Sequence, residues 1–221
     1  MVKGWNYMKP MLEITNLSFS YSEETEVLKN LDFTLNEKEI LCIKGPNGAG
    51  KTTFLKILCG LIRINSCNLK YMGQKNKLRN IKDDIAYVPS DPYLYTKLTG
   101  MENLELICDI WKEDKKKFML TSMELANFFN LEEDLNTYVE DYSLGMKHKL
   151  YLIGMLSRNT KIIIMDEPLT ALDIQSQNIA IKMFHEYVQL NKSIIFVSHI
   201  NDLITRLATK ELNLVNGRFY D

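Results

Sequence analysis

No excess charge, no long apolar run and no paired-cysteine motif occurs in this 221-residue chain, and each absence removes a class of protein. Its 27 lysines and arginines nearly cancel its 28 aspartates and glutamates, leaving a formal net charge of -1. That balance offers neither a basic field for nucleic acid nor a polybasic patch for anionic lipid, so no nucleic-acid partner is expected. The longest apolar runs are of the size of Leu150 to Leu156 and Ile162 to Met165, well short of the roughly 18 residues that a spanning helix needs. The opening stretch, Met1 to Pro10, lacks the uninterrupted apolar segment of a signal peptide, so the chain is expected to stay in the cytosol. Cys42, Cys59, Cys67 and Cys108 form no Cys-x-x-Cys pair; they read as reduced, apolar filler and not as metal ligands. No internal repeat and no low-complexity tract is visible.

What is present is an alternation of short β-branched runs with longer helical ones, the pattern of an α/β protein with a largely parallel sheet. Strands are expected at Leu12–Phe19, Val27–Leu35, Glu39–Ile43, Asn68–Met72, Ile85–Val88, Ile162–Met165 and Ser193–Val197. A terminal pair around Glu211–Val215 and Arg218–Tyr220 is joined by an Asn216-Gly217 hairpin turn. Helices are expected at Lys51–Leu61, Met101–Trp111, Lys115–Phe129, Leu144–Leu156, Ile174–Leu190 and near Asn201–Leu207. From Val88 to Ile162 the chain reads almost entirely helical, which marks residues 93–143 as an inserted helical subdomain. Residues 1–10 read as a loose leader, and 11–221 as one domain with an antiparallel β part near its start. Lys115-Lys116-Lys117 reads as a solvated helix start.

Gly45-Pro46-Asn47-Gly48-Ala49-Gly50-Lys51-Thr52 fits the phosphate-loop pattern G-x-x-x-x-G-K-[ST], the Walker A motif. A strand runs into it and a helix leaves it, which is the context that the pattern requires. Glycines let successive backbone N–H groups turn toward phosphate oxygens, and the helix adds its unpaired N-terminal donors. Lys51 would reach the β and γ phosphates, and Thr52 would give its hydroxyl to Mg²⁺. Thr53 follows in the same helix start. A plain glycine-rich turn is the alternative reading.

Lys161 to Pro168 is an apolar strand ending in two carboxylates, Asp166 and Glu167. Ligands of open parallel sheets bind at that end of the strands. Asp166 is suited to hold Mg²⁺ through water, and Glu167 to orient and deprotonate an attacking water. Alone, the pair would serve equally as an acidic loop; beside Lys51 and Thr52 the catalytic reading prevails.

The order of several further segments resembles the nucleotide-binding domain of an ATP-binding-cassette (ABC) ATPase, over about residues 11–221. The resemblance implies a P-loop cassette fold: a mixed sheet core with an N-terminal antiparallel β part and an inserted helical subdomain. Tyr21 matches the aromatic that stacks on adenine in that family, although a surface tyrosine in a strand is the bland alternative. Tyr142-Ser143-Leu144-Gly145-Met146 stands where the family has Leu-Ser-Gly-Gly-Gln; it departs at three of five positions but keeps Ser143 and Gly145. Ser143 would also serve as an ordinary cap of the helix beginning near Leu144. Thr170-Ala171-Leu172-Asp173 resembles the family's D-loop, with Asp173 capping the next helix. His199 matches the switch histidine that contacts the γ-phosphate. Ser90 occupies the place of a glutamine that touches Mg²⁺ and relays to the membrane partner; its shorter side chain would reach the metal only through a closer backbone or a bridging water, and Asp91 would substitute only if the loop shifts.

The resemblance implies ATP and Mg²⁺ as ligands and ATP hydrolysis as the reaction. It also implies a second ABC ATPase subunit, most simply another copy, because one protomer's phosphate loop faces the other's signature segment. A separate transmembrane permease would receive the helical insert, placing the chain at the cytoplasmic face of the cell membrane. The Tyr-Ser-Leu-Gly-Met-Lys string resembles subunits of export-type permeases. Three alternatives stand beside this reading: a ribosome-associated ABC ATPase, which would carry two cassettes; a chromosome ATPase, which would need a long coiled coil between Thr52 and Asp166; and a module weakened in catalysis, which Ser90 motivates and intact Lys51, Asp166, Glu167 and His199 oppose.

Overall fold

The computed structural model describes residues 9–22, 25–64 and 67–220. Residues 1–8 of the expected leader lie outside the described residues. Its last two residues are tied to the frame instead: the Lys9 carbonyl accepts the Glu37 N–H at 2.9 Å, and Pro10 opens the first strand opposite Asn36.

Two sheets form the frame. The antiparallel one contains β1 (Pro10–Ser22), β2 (Thr25–Asn36), β4 (Asn68–Tyr71) and β5 (Gln74–Asn76), in the order β2-β1-β4-β5. The other contains β3 (Ile40–Lys44), β6 (Ile85–Val88), β7 (Ile162–Asp166), β8 (Ser193–Val197), β9 (Lys210–Val215) and β10 (Arg218–Tyr220), in the order β10-β9-β3-β8-β7-β6. Pairing is parallel from β9 through to β6, and antiparallel only between β9 and β10. The sheet is therefore mixed, as expected.

The central strands are apolar throughout because both of their faces are covered. Ile40, Cys42, Ile163, Met165, Ile194 and Phe196 point into a core shared with the large helices. Their neighbours Leu41, Ile43, Ile162, Ile164, Ile195 and Val197 point into a second core, closed by the antiparallel sheet and by α1 (Lys51–Leu58). Burial pushes the Cys42 thiol up to about 12, in keeping with a cysteine that acts as filler.

The helical side carries α3 (Gly100–Trp111), α4 (Lys115–Phe128), α5 (Leu144–Ser157), α6 (Ile174–Gln189) and α7 (Asn201–Leu207). Four of these starts have side-chain caps. Thr99 and Glu102 form a reciprocal capping box on α3, while Asp114, Ser143 and Asp173 accept N–H bonds from the first turns of α4, α5 and α6. Two of the expected helices lie inside residues 93–143, but α5 packs against both, so the helical layer continues past that boundary. Arg158 follows α5 and is buried; its guanidinium stacks 3.5 Å over Trp111 and donates to the Ile85 and Asp83 carbonyls. Glu113 lies 3.6 Å from it.

Sequence periodicity missed four small elements: β5, α2 (Leu78–Ile81) and the 3₁₀ turns Lys82–Asp84 and Val139–Asp141. The β4–β5 hairpin turns on Met72 and Gly73, both with positive φ. The expected Asn216-Gly217 turn has the same backbone signature and joins Val215 to Arg218. Helix α1 ends at Leu58, one turn short of the expected Leu61, with Gly60 in the left-handed region just beyond.

Candidate active site

The phosphate-loop segment leaves the carboxyl end of β3 and feeds α1. A side chain at Gly45 would place its Cβ 2.1 Å from the Leu214 carbonyl oxygen, and its φ is +145°. Only glycine fits so close to β9. Gly50 (φ +100°) precedes α1, and a Cβ there would press on Leu28 and Val27. Gly48 is left-handed with open space around it. Lys51, only 8 % exposed, curls back so that its ammonium donates to the Gly45 carbonyl at 2.8 Å and the Pro46 carbonyl at 3.0 Å. Two of its three donors thus brace the loop, leaving the third for an anion held there.

A groove of about 430 Å³ opens over the loop. Asn47, Gly48, Gly50, Lys51, Thr52 and Thr53 line its floor, and Ser90, Asp166, Glu167 and His199 line its far wall. The Thr52 hydroxyl donates to Asp166 at 2.7 Å. Asp166 ends β7, buried, and Glu167 follows with φ +52°, its N–H held by the Val197 carbonyl at 3.0 Å. That backbone turn swings the Glu167 side chain toward His199, whose Nε2 lies 3.5 Å from Oε1. The other oxygen, Oε2, accepts from Thr170 at 3.4 Å. Neighbouring parallel strands β7 and β8 therefore deliver the acid pair and the histidine to one edge.

Tyr21 stands at the groove mouth, exposed, with its hydroxyl 3.1 Å from that of Thr53. Phe19 meets its ring edge-on at 4.9 Å. Val27 faces the same space and escaped the sequence reading; a half-buried valine in a strand carries no distinguishing signal. A flat aromatic and an aliphatic wall beside a phosphate loop suit a purine base.

Ser143, Gly145 and Asp173 do not line this groove. They gather instead where α5 and α6 begin. Ser143 caps α5, a Cβ on Gly145 would stand 3.2 Å from the Ala171 carbonyl, and Lys149 reaches Asp173 at 3.3 Å. Hydrogen bonds from the Ser176 N–H and hydroxyl, with Lys149 alongside, pull the Asp173 carboxyl down to about 2. Of the remaining expected loop residues, Pro46 contributes its carbonyl to Lys51, and Ala49 closes a turn back onto Pro46.

Among the described residues no three histidine, cysteine, aspartate or glutamate side chains converge on a cation site. The oxygens of Thr52 and Asp166, already in contact, nevertheless fit Mg²⁺, which takes one or two protein oxygens and draws its other ligands from phosphate and water. No described helix is long and apolar enough to cross a membrane.

Comparison with known proteins identifies the family and the fold. The family model described as ABC transporter matches residues 28–170. An uncharacterized ABC transporter ATP-binding protein of Bacillus subtilis, YxlF, is 34 % identical over 207 residues, covering 94 % of this chain and 68 % of that one. The linearmycin resistance ATP-binding protein LnrL of Bacillus subtilis is 28 % identical, with 86 % of this chain and 61 % of that one covered. The chain spans only 37–44 % of several further ATP-binding relatives, one of them named for ribose import. A solved structure titled as the ATP binding subunit of an ABC transporter superposes with a TM-score of 0.86 at 26 % identity, covering 94 % of this chain and 87 % of that one.

Proposed function

The chain belongs to the ABC transporter family as an ATP-binding subunit, and from that premise we propose that it hydrolyses ATP to drive transport through a separate transmembrane permease. The observation that carries the proposal is the meeting of Lys51, Thr52, Asp166, Glu167 and His199 in one groove. Gly45 to Thr53 cradle the phosphates with backbone N–H groups and the Lys51 ammonium, and Tyr21 with Val27 sandwich the adenine. Thr52 and Asp166, with Ser90 on the facing wall, would hold Mg²⁺, which would supply neutralisation of phosphate charge. Glu167 accepts the proton of the attacking water, and His199 stabilises charge on the γ-phosphate oxygens.

The separation of Ser143, Gly145 and Asp173 from the groove supports a composite site. Two copies arranged head to tail bring the α5 start of one over the phosphate loop of the other; a hydroxyl with free helix N–H groups suits a γ-phosphate. ATP binding closes this homodimer, and hydrolysis with product release opens it. The helical part, residues 93–143, receives the permease and holds the chain at the cytoplasmic face of the membrane. The direction is export, a reading supported by the Tyr142–Lys147 string and by the resistance function named for one relative.

The test is Glu167→Gln. Purified protein should lose at least a hundredfold in phosphate release while retaining ATP binding, and a dimer should accumulate with ATP on gel filtration. Wild-type turnover in that variant would remove Glu167 from the mechanism.

A further inference from the structure

We propose that Gln177 is a positioning residue for the hydrolytic carboxylate: its side-chain amide braces the turn between β7 and α6 so that Thr170 holds Glu167 in place. The proposal rests on the reading of Glu167 as the base. In the first turns of α6 the Gln177 amide nitrogen donates to the Leu169 carbonyl at 3.1 Å and to the Leu172 carbonyl at 3.0 Å. A primary amide has two N–H donors, and both are committed to this one turn. The Leu172 N–H also closes onto the Leu169 carbonyl at 3.1 Å, and both leucine side chains are buried. The turn is thus anchored by apolar packing at its two ends and gathered across its middle by one side chain.

Thr170 sits exposed between those anchors and, among the described residues, is the sole hydrogen-bond donor to the Glu167 carboxylate. The backbone of Glu167 is fixed by its Val197 contact. Its side chain is not: Oε1 is buried without a hydrogen-bond partner, and the nearby His199 is exposed. Which rotamer the carboxylate keeps therefore depends on where the turn holds the threonine hydroxyl. A general base must lie within about 3 Å of the proton that it takes, and a misplacement of about 1 Å is enough to cost orders of magnitude. Substrate binding depends on the phosphate loop, which Gln177 does not touch, so loss of the brace should appear in kcat and not in affinity.

The experiment compares Gln177→Leu, Thr170→Val and the double variant of the whole chain. It reads MgATP turnover, nucleotide affinity by a fluorescent ATP analogue, and thermal unfolding. Gln177→Leu should lower kcat about tenfold with KM and analogue affinity within about twofold, and Thr170→Val, which removes the contact itself, should lower it at least as much. The double variant should be no slower than Thr170→Val, because both act through one contact. Gln177→Arg, which returns donors, should recover most of the rate. Wild-type kcat in Gln177→Leu, a parallel loss of affinity and rate, or multiplying effects in the double variant would overturn the brace. A wild-type chain without turnover, or Glu167→Gln at full rate, would instead overturn the functional reading, and these controls separate the two failures.

Discussion

The Thr52 hydroxyl donates to the Asp166 carboxylate at 2.7 Å, joining residues 114 positions apart. This bond ties the first turn of α1 to the end of β7, and it aligns the two oxygens that a phosphate-bound cation would need. Thr52→Ala should lower MgATP turnover by about ten- to a hundredfold, in line with the ~1.5–3 kcal/mol of a hydrogen bond to a charged group. Thr52→Ser, which keeps the hydroxyl, should stay within about threefold of wild type. Steady-state rates across a magnesium titration check both, and equal rates in the two variants would sink the idea.

Gly45 and Gly48 both have positive φ, yet only Gly45 abuts another backbone. Gly45→Ala should therefore destabilise the fold by about 3 kcal/mol or more, combining a left-handed cost with a carbonyl clash. Gly48→Ala carries only the conformational cost, about 1–2 kcal/mol. Urea unfolding of the two variants should preserve that ranking.

Asp173 supplies a pH dependence whose sign follows from its lowered pKa. The folded value is about 2 against 3.8 for the ordinary group. Its contribution is therefore present above pH 4 and is lost as the pH falls toward 2. Asp173→Asn keeps a capping oxygen but not the charge. The stability difference from wild type should be visible at pH 5 and should shrink steadily with acidification; a constant difference would contradict the assignment.

Arg158 is the largest of the fully buried side chains among the described residues. Burial works against its charge, and Glu113 partly compensates. Arg158→Leu should cost about 3–5 kcal/mol, because it strands the Glu113 carboxylate and two backbone carbonyls. Arg158→Lys should recover little, since an ammonium has neither the fork nor the flat face that stacks on Trp111. Thermal unfolding measures the loss, and a change in tryptophan emission reports the ring losing its cation.

These features differ in how readily they could be read from sequence. The strands Ile162–Asp166 and Ser193–Val197 are apolar on both faces, so their runs stand out against the helices around them. Gln74–Asn76 is polar and lies at a sheet edge, and it pairs because Met72 and Gly73 take positive φ; neither fact leaves a hydrophobic trace. Lys51, Thr52, Asp166 and Glu167 sit in contiguous motifs, where each residue identifies its neighbours. Gln177 and Lys149 act through their side-chain contacts onto a turn and a cap, which no local spacing encodes.

The close fit between Gly45 and the Leu214 carbonyl also bears on how the protein is made. The phosphate loop leaves the ribosome early, yet β3 finds its parallel neighbours only when β8 and β9 have been synthesised, some 150 residues later. Contacts of such sequence separation form late and slowly. A nascent chain that already carries the whole Gly45–Thr52 motif thus lacks the β8 and β9 neighbours of β3 and the Leu214 carbonyl against which Gly45 packs, so the loop's native seat is completed only with the last strands.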